Sequence, residues 1–306
     1  MVDAPAQVEV GPGIYAYIQP DGSWWLNNTG FLVGRTGVLA VDSCSTEART
    51  RALLDAIGAR SPEPVRTLVN THHHGDHTHG NYLFAAAGAV VVGHEECRRE
   101  ILAAGVPGER YAAVWEAPDW GTVELAPPTV TFTDAVTLWV DELRCEVRHV
   151  GTPAHTTNDC VLWVPEHSVL FAGDLLFNGG TPFLLMGSIA GALEAVAALG
   201  DLGAARIVPG HGPVCDPDAI EPTLAYLRFV TEVARAGHAA GRPPLEQARR
   251  TDLGEFAGLT DAERIVGNLH RAYAELDGAA RGAPIDVVAA LSDMVVYNGG
   301  RLHCYA

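Results

Sequence analysis

The sequence contains no lysine, so its positive charge comes from arginine alone and nowhere forms a long basic run. The longest basic runs are the pairs Arg98-Arg99 and Arg249-Arg250. With 37 acidic residues against 20 basic ones, the formal net charge is −17. Nucleic-acid binders need a basic surface that displaces counterions from phosphates. The composition therefore argues against RNA, DNA and anionic membranes as partners.

Paired cysteines and long apolar runs are also missing. The six cysteines are scattered without a C-x-x-C pair, which is typical of reduced thiols and not of a disulfide framework. No apolar run reaches the ~18 residues that a membrane span needs. The first residues show neither a basic start nor the apolar segment of a signal peptide. We therefore predict a cytoplasmic protein, for which a homo-oligomer is possible.

Hydrophobic residues, in contrast, make up 48% of the 306 residues, enough for one large α/β domain with a substantial core. Strand patterns followed by helix patterns occur twice along the chain, which favours two β-rich halves between outer helices. We place the main domain at residues 1–215 and a helical extension at residues 216–306. The segment Gly105–Pro128 has no clean period and is predicted to be a long loop.

The local patterns give the following elements. Strands are predicted at Gly13–Gln19, Trp24–Val33, Val38–Val41, Arg66–Asn70, Ala89–Val92, Val130–Phe132, Val136–Val140, Leu143–Val150, Cys160–Val164, Val169–Ala172 and Arg206–Val208. Helices are predicted at Glu47–Ala59, Glu95–Ala103, Ile189–Leu199, Glu221–Ala239, Pro244–Arg250, Asp261–Leu276 and Ile285–Tyr297.

The strongest chemical signal is the run THHHGDHTHGN at Thr71–Asn81, directly after a predicted strand. Within six residues it offers three imidazoles and a carboxylate, on His72, His74, Asp76 and His77. Zinc prefers neutral imidazole nitrogens and carboxylate oxygens. Because a tight turn points alternate side chains in opposite directions, His72 and His74 can share one metal while Asp76 and His77 turn to a second. For any one histidine alone, a structural role would be the simpler interpretation.

This motif resembles that of the metallo-β-lactamase superfamily, over roughly Ile14–Pro213. The resemblance implies an α/β fold, the αββα sandwich, with the C-terminal helices as an extension. It also implies three further ligands. His155 in GTPAHT would complete the first metal, Asp174 in LFAGD would bridge both metals, and His211 in PGHGP would complete the second. We therefore expect two zinc ions per chain.

The residues at two ligand positions reduce the number of superfamily reactions that this resemblance implies. True β-lactamases lack the bridging carboxylate, whereas Asp174 resembles the thioesterase, lactonase and nuclease branches. His74 stands where the oxygen- and nitric-oxide-reducing relatives carry glutamate, which weakens a di-iron interpretation. A metal pair generates hydroxide near neutral pH, and Asp76 is the predicted catalytic residue that orients it. A thiolate leaving group needs no proton donor, which favours thioesters or activated esters as substrates.

Further stretches narrow the resemblance. TPFLLMGSIAG, DLGEFAGLTDAER and VVYNGG look similar to the cyclase/thioesterases of bacterial aromatic polyketide pathways, of the actinorhodin second-ring cyclase type, across nearly the whole chain. This implies a polyketide thioester substrate carried by an acyl carrier protein, and a role in antibiotic biosynthesis. Trp24, Trp25, Phe183 and Met186 are predicted to line its apolar pocket, although each of them could simply pack the core.

Several alternatives stay open from the sequence. A lactonase and a glyoxalase-type thioesterase use the same superfamily site, but the latter should show basic residues for a glutathione carboxylate. An iron-dependent persulfide dioxygenase belongs to a different reaction class. A non-catalytic binding module would be expected to lose ligands, and here none is missing. Of the remaining motif histidines, His73 is predicted to be structural, and His79 could face the substrate.

Overall fold

The computed structural model of the chain describes residues 4–116 and 119–306, and these form two β-sheets with helices on the outside. The first sheet runs in the order β1 to β7: β1 (Ala6–Gly11), β2 (Ile14–Ile18), β3 (Thr29–Val33), β4 (Val38–Val41), β5 (Val65–Val69), β6 (Val90–His94) and β7 (Val130–Phe132). The second runs in the order β12-β11-β10-β9-β8: β8 (Ala135–Val140), β9 (Leu143–His149), β10 (Cys160–Val164), β11 (Val169–Phe177) and β12 (Arg206–His211).

Ten α-helices lie within the described residues: α1 (Glu47–Gly58), α2 (Gly75–Thr78), α3 (Asn81–Ala86), α4 (Glu95–Ala104), α5 (Glu109–Ala112), α6 (Ile189–Leu199), α7 (Ile220–Ala239), α8 (Pro244–Arg250), α9 (Arg264–Leu276) and α10 (Val287–Asn298). Short 3₁₀ turns occupy Pro165–His167, Gly200–Leu202, Pro217–Ala219 and Gly254–Gly258. None of the helices in these residues is both long enough and apolar enough to cross a bilayer.

The side chains of each strand point alternately to the two faces of its sheet, and this alternation produces the layers of the fold. Successive side chains of a strand point to opposite faces, so Leu32 on β3 packs into the core between the sheets while its neighbour Phe31 packs beneath α1. Val69 on β5 meets Leu162 and Phe171 of the second sheet in that central core. The outer face of the second sheet is covered by α6, α7, α9 and α10. The predicted αββα sandwich with C-terminal helices is confirmed.

Strand direction sets where the functional residues gather. In the first sheet β4, β5, β6 and β7 are parallel to one another, and in the second β11 is parallel to β12. The carboxyl ends of parallel strands lie at one edge, where the following loops form a crevice. Asp42 follows β4 and the histidine run follows β5, while β12 ends on His211. Asp42, the histidine run and His211 therefore lie at the same end of the sandwich.

Several predicted boundaries are wrong. The strand predicted from Trp24 begins only at Thr29, because Trp25 has a φ of 68°, a left-handed conformation that interrupts an extended run. The helix predicted from Asp261 begins at Arg264, since Asp261 itself has a φ of 55°.

Other elements were missed altogether: β1, α2, α3 and α5. Of these, α5 lies inside the predicted loop Gly105–Pro128, in which Ala117 and Pro118 are outside the described residues. The short helices α2, α3 and α5 are held by tertiary contacts, and a helix of four to six residues leaves no clear period in a sequence. The division at residue 215 stays a prediction.

Candidate metal centre

The first group of candidate ligands combines His72, His74, His155 and Asp174, whose ligand atoms all lie within 4.8 Å of one another. His72 and His74 come from the loop after β5, and His155 comes from the loop between β9 and β10. Nδ1 of His74 lies 2.8 Å from Nε2 of His155, although 81 residues separate them in the chain. The fold thus brings together the four side chains that the resemblance assigned to one metal and its bridge.

The second group consists of Asp76, His77 and His211. Nε2 of His211 lies 3.3 Å from Asp76 Oδ2, and Nε2 of His77 lies 3.8 Å from the same oxygen. Asp76 and His77 belong to the short helix α2, whose tight turn separates them from His72 and His74. All three side chains are buried. This grouping matches the one predicted for the second metal.

Asp174 stands between the two groups. Its Oδ2 lies 3.2 Å from His155 Nε2 and 3.4 Å from His211 Nε2, and its Oδ1 lies 3.1 Å from His77 Nε2. The strand predicted to end at Ala172 continues to Phe177, so Asp174 lies inside β11, where the left-handed Gly173 and shifts in the register with β12 reorient the chain. Gly210 faces it so closely that a Cβ there would lie 1.8 Å from Asp174 Oδ1.

Four of the five histidines of this centre are oriented through Nδ1, whereas Nδ1 of His74 faces His155. The ring of His77 donates to Asp42 Oδ2 at 2.8 Å, and that of His72 donates to the Thr71 hydroxyl at 3.1 Å. The backbone accepts the others: His211 donates to the Gly22 carbonyl at 3.0 Å, and His155 donates to the Phe183 carbonyl. Because Nδ1 carries the proton in these contacts, Nε2 offers its lone pair to the centre.

Unpartnered polar atoms test whether the residues fit a metal. Nε2 of His72 and His77 and Oδ1 of Asp174 are buried without a hydrogen-bond partner among the residues that the structure describes. Buried polar atoms in proteins are rarely left without one, and imidazole and carboxylate are zinc donors. The seven residues therefore fit a divalent cation at each group.

The electrostatics of the centre favour positive charge as well. Burial opposes protonation of His77, yet the carboxylates of Asp174 and Asp42 outweigh it and raise its pKa well above the ordinary value. For His211, burial is likewise outweighed by Asp174 and Asp76, which raise its pKa to about 9. Burial penalises the Asp174 carboxylate, but the nearby imidazoles of His211 and His77 hold its pKa well below its usual range. The carboxylates thus stabilise cations at this position.

The remaining motif histidines lie beside the ligand cluster. His73 faces the amide of Asn158, with Nδ1 3.0 Å from the amide nitrogen, and His79 donates through Nδ1 to the Ser45 carbonyl at 3.2 Å. The ring of His79 stacks on Trp25 with centroids 5.8 Å apart. Both histidines line the adjacent cavity, and the structural role of His73 stays a prediction.

That cavity has a volume of about 830 Å³ and is lined mainly by aromatic and aliphatic side chains. His74, Asp76, His155, Asp174 and His211 form its polar end. Its walls include the four predicted substrate-binding residues, Trp24, Trp25, Phe183 and Met186, together with Tyr111, Trp115, Leu125, Leu291 and Val295. A ligand in this cavity would therefore meet the candidate ligands and walls that are mainly apolar but also include Glu100, Glu124 and Arg264.

The sequence did not single out several residues that shape the centre. Asp42 follows the β4 strand in VDS, a strand-end carboxylate that could have been noticed. Asn28 binds the loop around His211, donating to the carbonyls of Pro209 at 2.9 Å and Gly212 at 2.6 Å, and no sequence pattern marks it. Arg264, the first residue of α9, lines the cavity. In the sequence it is indistinguishable from any other arginine of a helix.

Comparison with known proteins fits this geometry. The profile of the Metallo-beta-lactamase superfamily matches residues 22–211. The chain belongs to that superfamily. The predictions of its fold and of a metal-dependent hydrolase are confirmed at this level. A solved structure, the metallo-beta-lactamase from Pontibacter korlensis, is similar with a TM-score of 0.60, 22% identity and coverage of 74% of this chain and 99% of that one. At that identity the likeness concerns the fold alone.

Two curated relatives illustrate the range of sequence similarity. A hydroxyacylglutathione hydrolase from Rhodospirillum rubrum is 27% identical over 249 residues, covering 75% of this chain and 86% of that protein. The bovine acyl-coenzyme A thioesterase MBLAC2 is 28% identical over 177 residues, covering 52% of this chain and 61% of that protein. Neither name refers to polyketide cyclisation, so the narrower resemblance in the sequence gains no support from them.

Proposed function

We propose that the chain is a thioesterase whose substrates carry a bulky, apolar acyl group, with a pair of zinc ions as its cofactor. The supporting observation is the cavity of about 830 Å³ whose lining combines the ligand cluster with aromatic side chains. Apolar pockets of this size take most of a ligand's surface out of water. Two relatives are named as a hydroxyacylglutathione hydrolase and an acyl-coenzyme A thioesterase, and both names refer to enzymes that cleave thioester bonds.

In this proposal His72, His74 and His155 would hold the first ion and Asp76, His77 and His211 the second, and Asp174 lies next to both groups. When bound, such ions polarise a carbonyl and lower the pKa of water towards neutrality. Asp76 lines the cavity and lies beside His211, where its carboxylate could orient the attacking water and accept its proton. Asp42 and the Gly22 carbonyl hold the rings of His77 and His211 in place.

The walls of the cavity position the acyl group. Trp24 meets Phe183 edge-to-face with centroids 5.0 Å apart, and Trp25 meets Trp115 in the same way at 5.2 Å. Such rigid aromatic surfaces lose little conformational entropy when an apolar ligand binds. The proposal assigns no residue as a general acid. A thioester does not need one, because its thiolate leaves without accepting a proton.

A glutathione thioester is a weaker fit for the described residues. Arg264 is the only lysine or arginine that lines the described part of the cavity, and it is already paired with Asp261. The two carboxylates of a glutathione moiety would find no other cationic side chain on these walls. We therefore propose that the cavity binds the acyl part of the thioester, and that this part is a large acyl group and not a small hydroxyacyl group.

A polyketide thioester is a narrower candidate within the same proposal. The aromatic walls formed by Trp24, Trp25 and Trp115 suit a flat, partly aromatic acyl chain. Metal polarisation of a ketone would also assist the enolisation that ring closure needs. An acyl carrier protein as partner, a homo-oligomer and a cytoplasmic location remain predictions from the sequence.

The test is a panel of synthetic thioesters given to zinc-loaded protein, with thiol release measured for acetyl, octanoyl and naphthoyl N-acetylcysteamine and for S-lactoylglutathione. We expect kcat/KM to rise from acetyl to the bulky acyl groups. Preference for S-lactoylglutathione would favour the glyoxalase-type alternative. Turnover of lactones without thioesters, or activity that depends on one iron and oxygen, would overturn the proposal.

A further inference from the structure

His79 lies on the cavity wall but is not one of the candidate metal ligands. It caps the C-terminal end of α2, and 8% of its surface is exposed. The polar atoms of buried side chains normally have hydrogen-bond partners. The surroundings of the two ring nitrogens therefore indicate what this side chain can bind.

The two ring nitrogens of His79 have different surroundings. Nδ1 lies 3.2 Å from the Ser45 carbonyl, and because a carbonyl oxygen can only accept, Nδ1 carries the proton. Burial lowers the pKa of His79 to about 4, so the ring is neutral near neutral pH and Nε2 has a free lone pair. Nε2 has no hydrogen-bond partner among the described residues, and unlike Nε2 of His72 and His77 it keeps accessible surface.

Aromatic neighbours fix the plane of this ring. His79 stacks on Trp25 with centroids 5.8 Å and planes 20° apart, and it meets Trp120 edge-to-face at 5.4 Å. Together with the contact to Ser45, these rings leave the imidazole little freedom to turn. The space around Nε2 depends on Gly75, because a Cβ there would overlap with this nitrogen. The acceptor is therefore oriented before any ligand binds, which lowers the entropic cost of binding.

Gly75 also places this acceptor beside the candidate metal centre. It separates His74 from Asp76 in the chain and lines the same cavity. Because Nε2 of His79 lies against Gly75, a group that is hydrogen-bonded to Nε2 lies close to two candidate ligands. In the proposed function the thioester bond is cleaved at this centre. A donor that reaches Nε2 is therefore only a few bonds from the sulfur.

The neighbouring His73 has the opposite hydrogen-bonding polarity. The amide nitrogen of Asn158 donates to its Nδ1 at 3.0 Å, so the neutral ring carries its proton on Nε2. The cavity wall thus offers an acceptor on His79 and a donor on His73, and neither is charged near neutral pH. A secondary amide presents its N–H and its carbonyl in opposite directions. It therefore suits two separate partners better than a single hydroxyl group does.

We propose that Nε2 of His79 accepts a hydrogen bond from a secondary amide N–H in the thiol part of the substrate, two carbons from the sulfur. The site would then prefer thiols of the N-acylcysteamine type. This inference rests on the proposed function for the thioester itself. His79 is a specificity residue in this proposal, because it contacts the substrate away from the bond that is cleaved.

Binding of uncleavable thioethers tests this without turnover. S-octyl-N-acetylcysteamine is compared with S-octyl-2-mercaptoethyl acetate, in which an ester oxygen replaces the amide N–H, using zinc-loaded protein. Tryptophan fluorescence reports binding, since Trp25 stacks on His79. One hydrogen bond between uncharged groups corresponds to a preference of about three- to tenfold for the amide. The ester is the more apolar compound, so equal affinity or tighter binding of the ester would overturn the proposal.

Two variants assign the preference to one ring nitrogen. In His79→Asn the amide nitrogen takes the place of Nδ1 and can still donate to Ser45, but nothing replaces Nε2. In His79→Gln, the matched control, the longer side chain places its amide at the position of Nε2 and keeps an acceptor there. We expect the preference for the amide to be lost in His79→Asn and kept in His79→Gln. A preference that persists in folded, zinc-loaded His79→Asn would contradict the assignment.

The two proposals fail separately. If the thioethers show the preference but thioesters are not hydrolysed, the proposed function falls and the inference about His79 stands. If thioesters are hydrolysed but wild-type protein binds both thioethers equally, the inference about His79 falls alone. The wild-type measurement keeps the proposal testable even when a variant does not fold.

Discussion

Asp42 accepts a hydrogen bond from Nδ1 of His77 across 2.8 Å, and both side chains are buried. The same carboxylate accepts hydrogen bonds from the backbone N–H and the hydroxyl of Thr71, at 2.8 and 2.7 Å. Asp42 therefore fixes the start of the histidine run as well as the tautomer of His77. Carboxylates in this position behind a histidine tune metal affinity and are needed for it.

Replacing Asp42 with asparagine should weaken zinc binding by about 10- to 100-fold, because the ring of His77 loses its anionic acceptor. Titration against a chelator of known zinc affinity measures the change. Asp141→Asn is the matched control, since Asp141 also has a positive φ, 52° against 59° for Asp42, but is exposed and pairs with Arg35. An unaltered zinc affinity in Asp42→Asn would contradict this role.

Asp76→Asn should lower thioester turnover by about 10² to 10⁴-fold, the usual effect of losing a positioned proton acceptor. The chain should remain folded, because the amide has the same shape and Asp76 reaches the cavity at the polar end. Circular dichroism and zinc content are measured on the same sample, so that loss of metal is distinguished from loss of the acceptor. Unchanged hydrolysis by a zinc-loaded variant would refute the proposed role.

Gly210→Ala probes the packing around Asp174. A Cβ at position 210 would lie 1.8 Å from Asp174 Oδ1 and 2.8 Å from the backbone carbon of Gly173, so the carboxylate must move. We expect weaker metal binding together with lost activity, measured by zinc titration and thiol release. Gly200→Ala is the control, because a Cβ there meets nothing within 4 Å, and it should behave like the wild type.

Met186→Trp tests the proposed acyl pocket by filling it. Met186 lines the cavity, so a larger side chain should raise KM for naphthoyl and octanoyl thioesters by about tenfold or more while changing acetyl turnover little. Met186→Leu conserves the volume and is the matched control. If the bulky and the small substrates respond equally to the tryptophan, the acyl group does not occupy this cavity.

The sequence indicated which side chains lie together at the candidate centre, because much of the group is local, and their role as metal ligands stays a prediction. His72, His74, Asp76 and His77 follow one another after a single strand, and a turn there leaves few arrangements for the four side chains. The distant members, His155, Asp174 and His211, were assigned through the superfamily resemblance. The fold brings all seven together, although Asp174 lies within a strand and not after one.

Features that depend on long-range packing could not be predicted from the sequence. The Gly22 and Phe183 carbonyls orient His211 and His155, and a backbone oxygen leaves no trace in a residue pattern. Arg264 lies on a helix about ninety residues after Asp174, and only the packing of α9 on Trp24 and Phe177 reveals it as a cavity residue. The short helices escaped prediction for the same reason.

The most direct test of the central claim is anomalous scattering at the zinc edge from crystals of zinc-loaded protein. Two peaks are predicted, one among His72, His74 and His155 and one among Asp76, His77 and His211, with Asp174 next to both. A single peak, or zinc located away from these side chains, would contradict the dinuclear centre on which the proposed thioesterase activity depends.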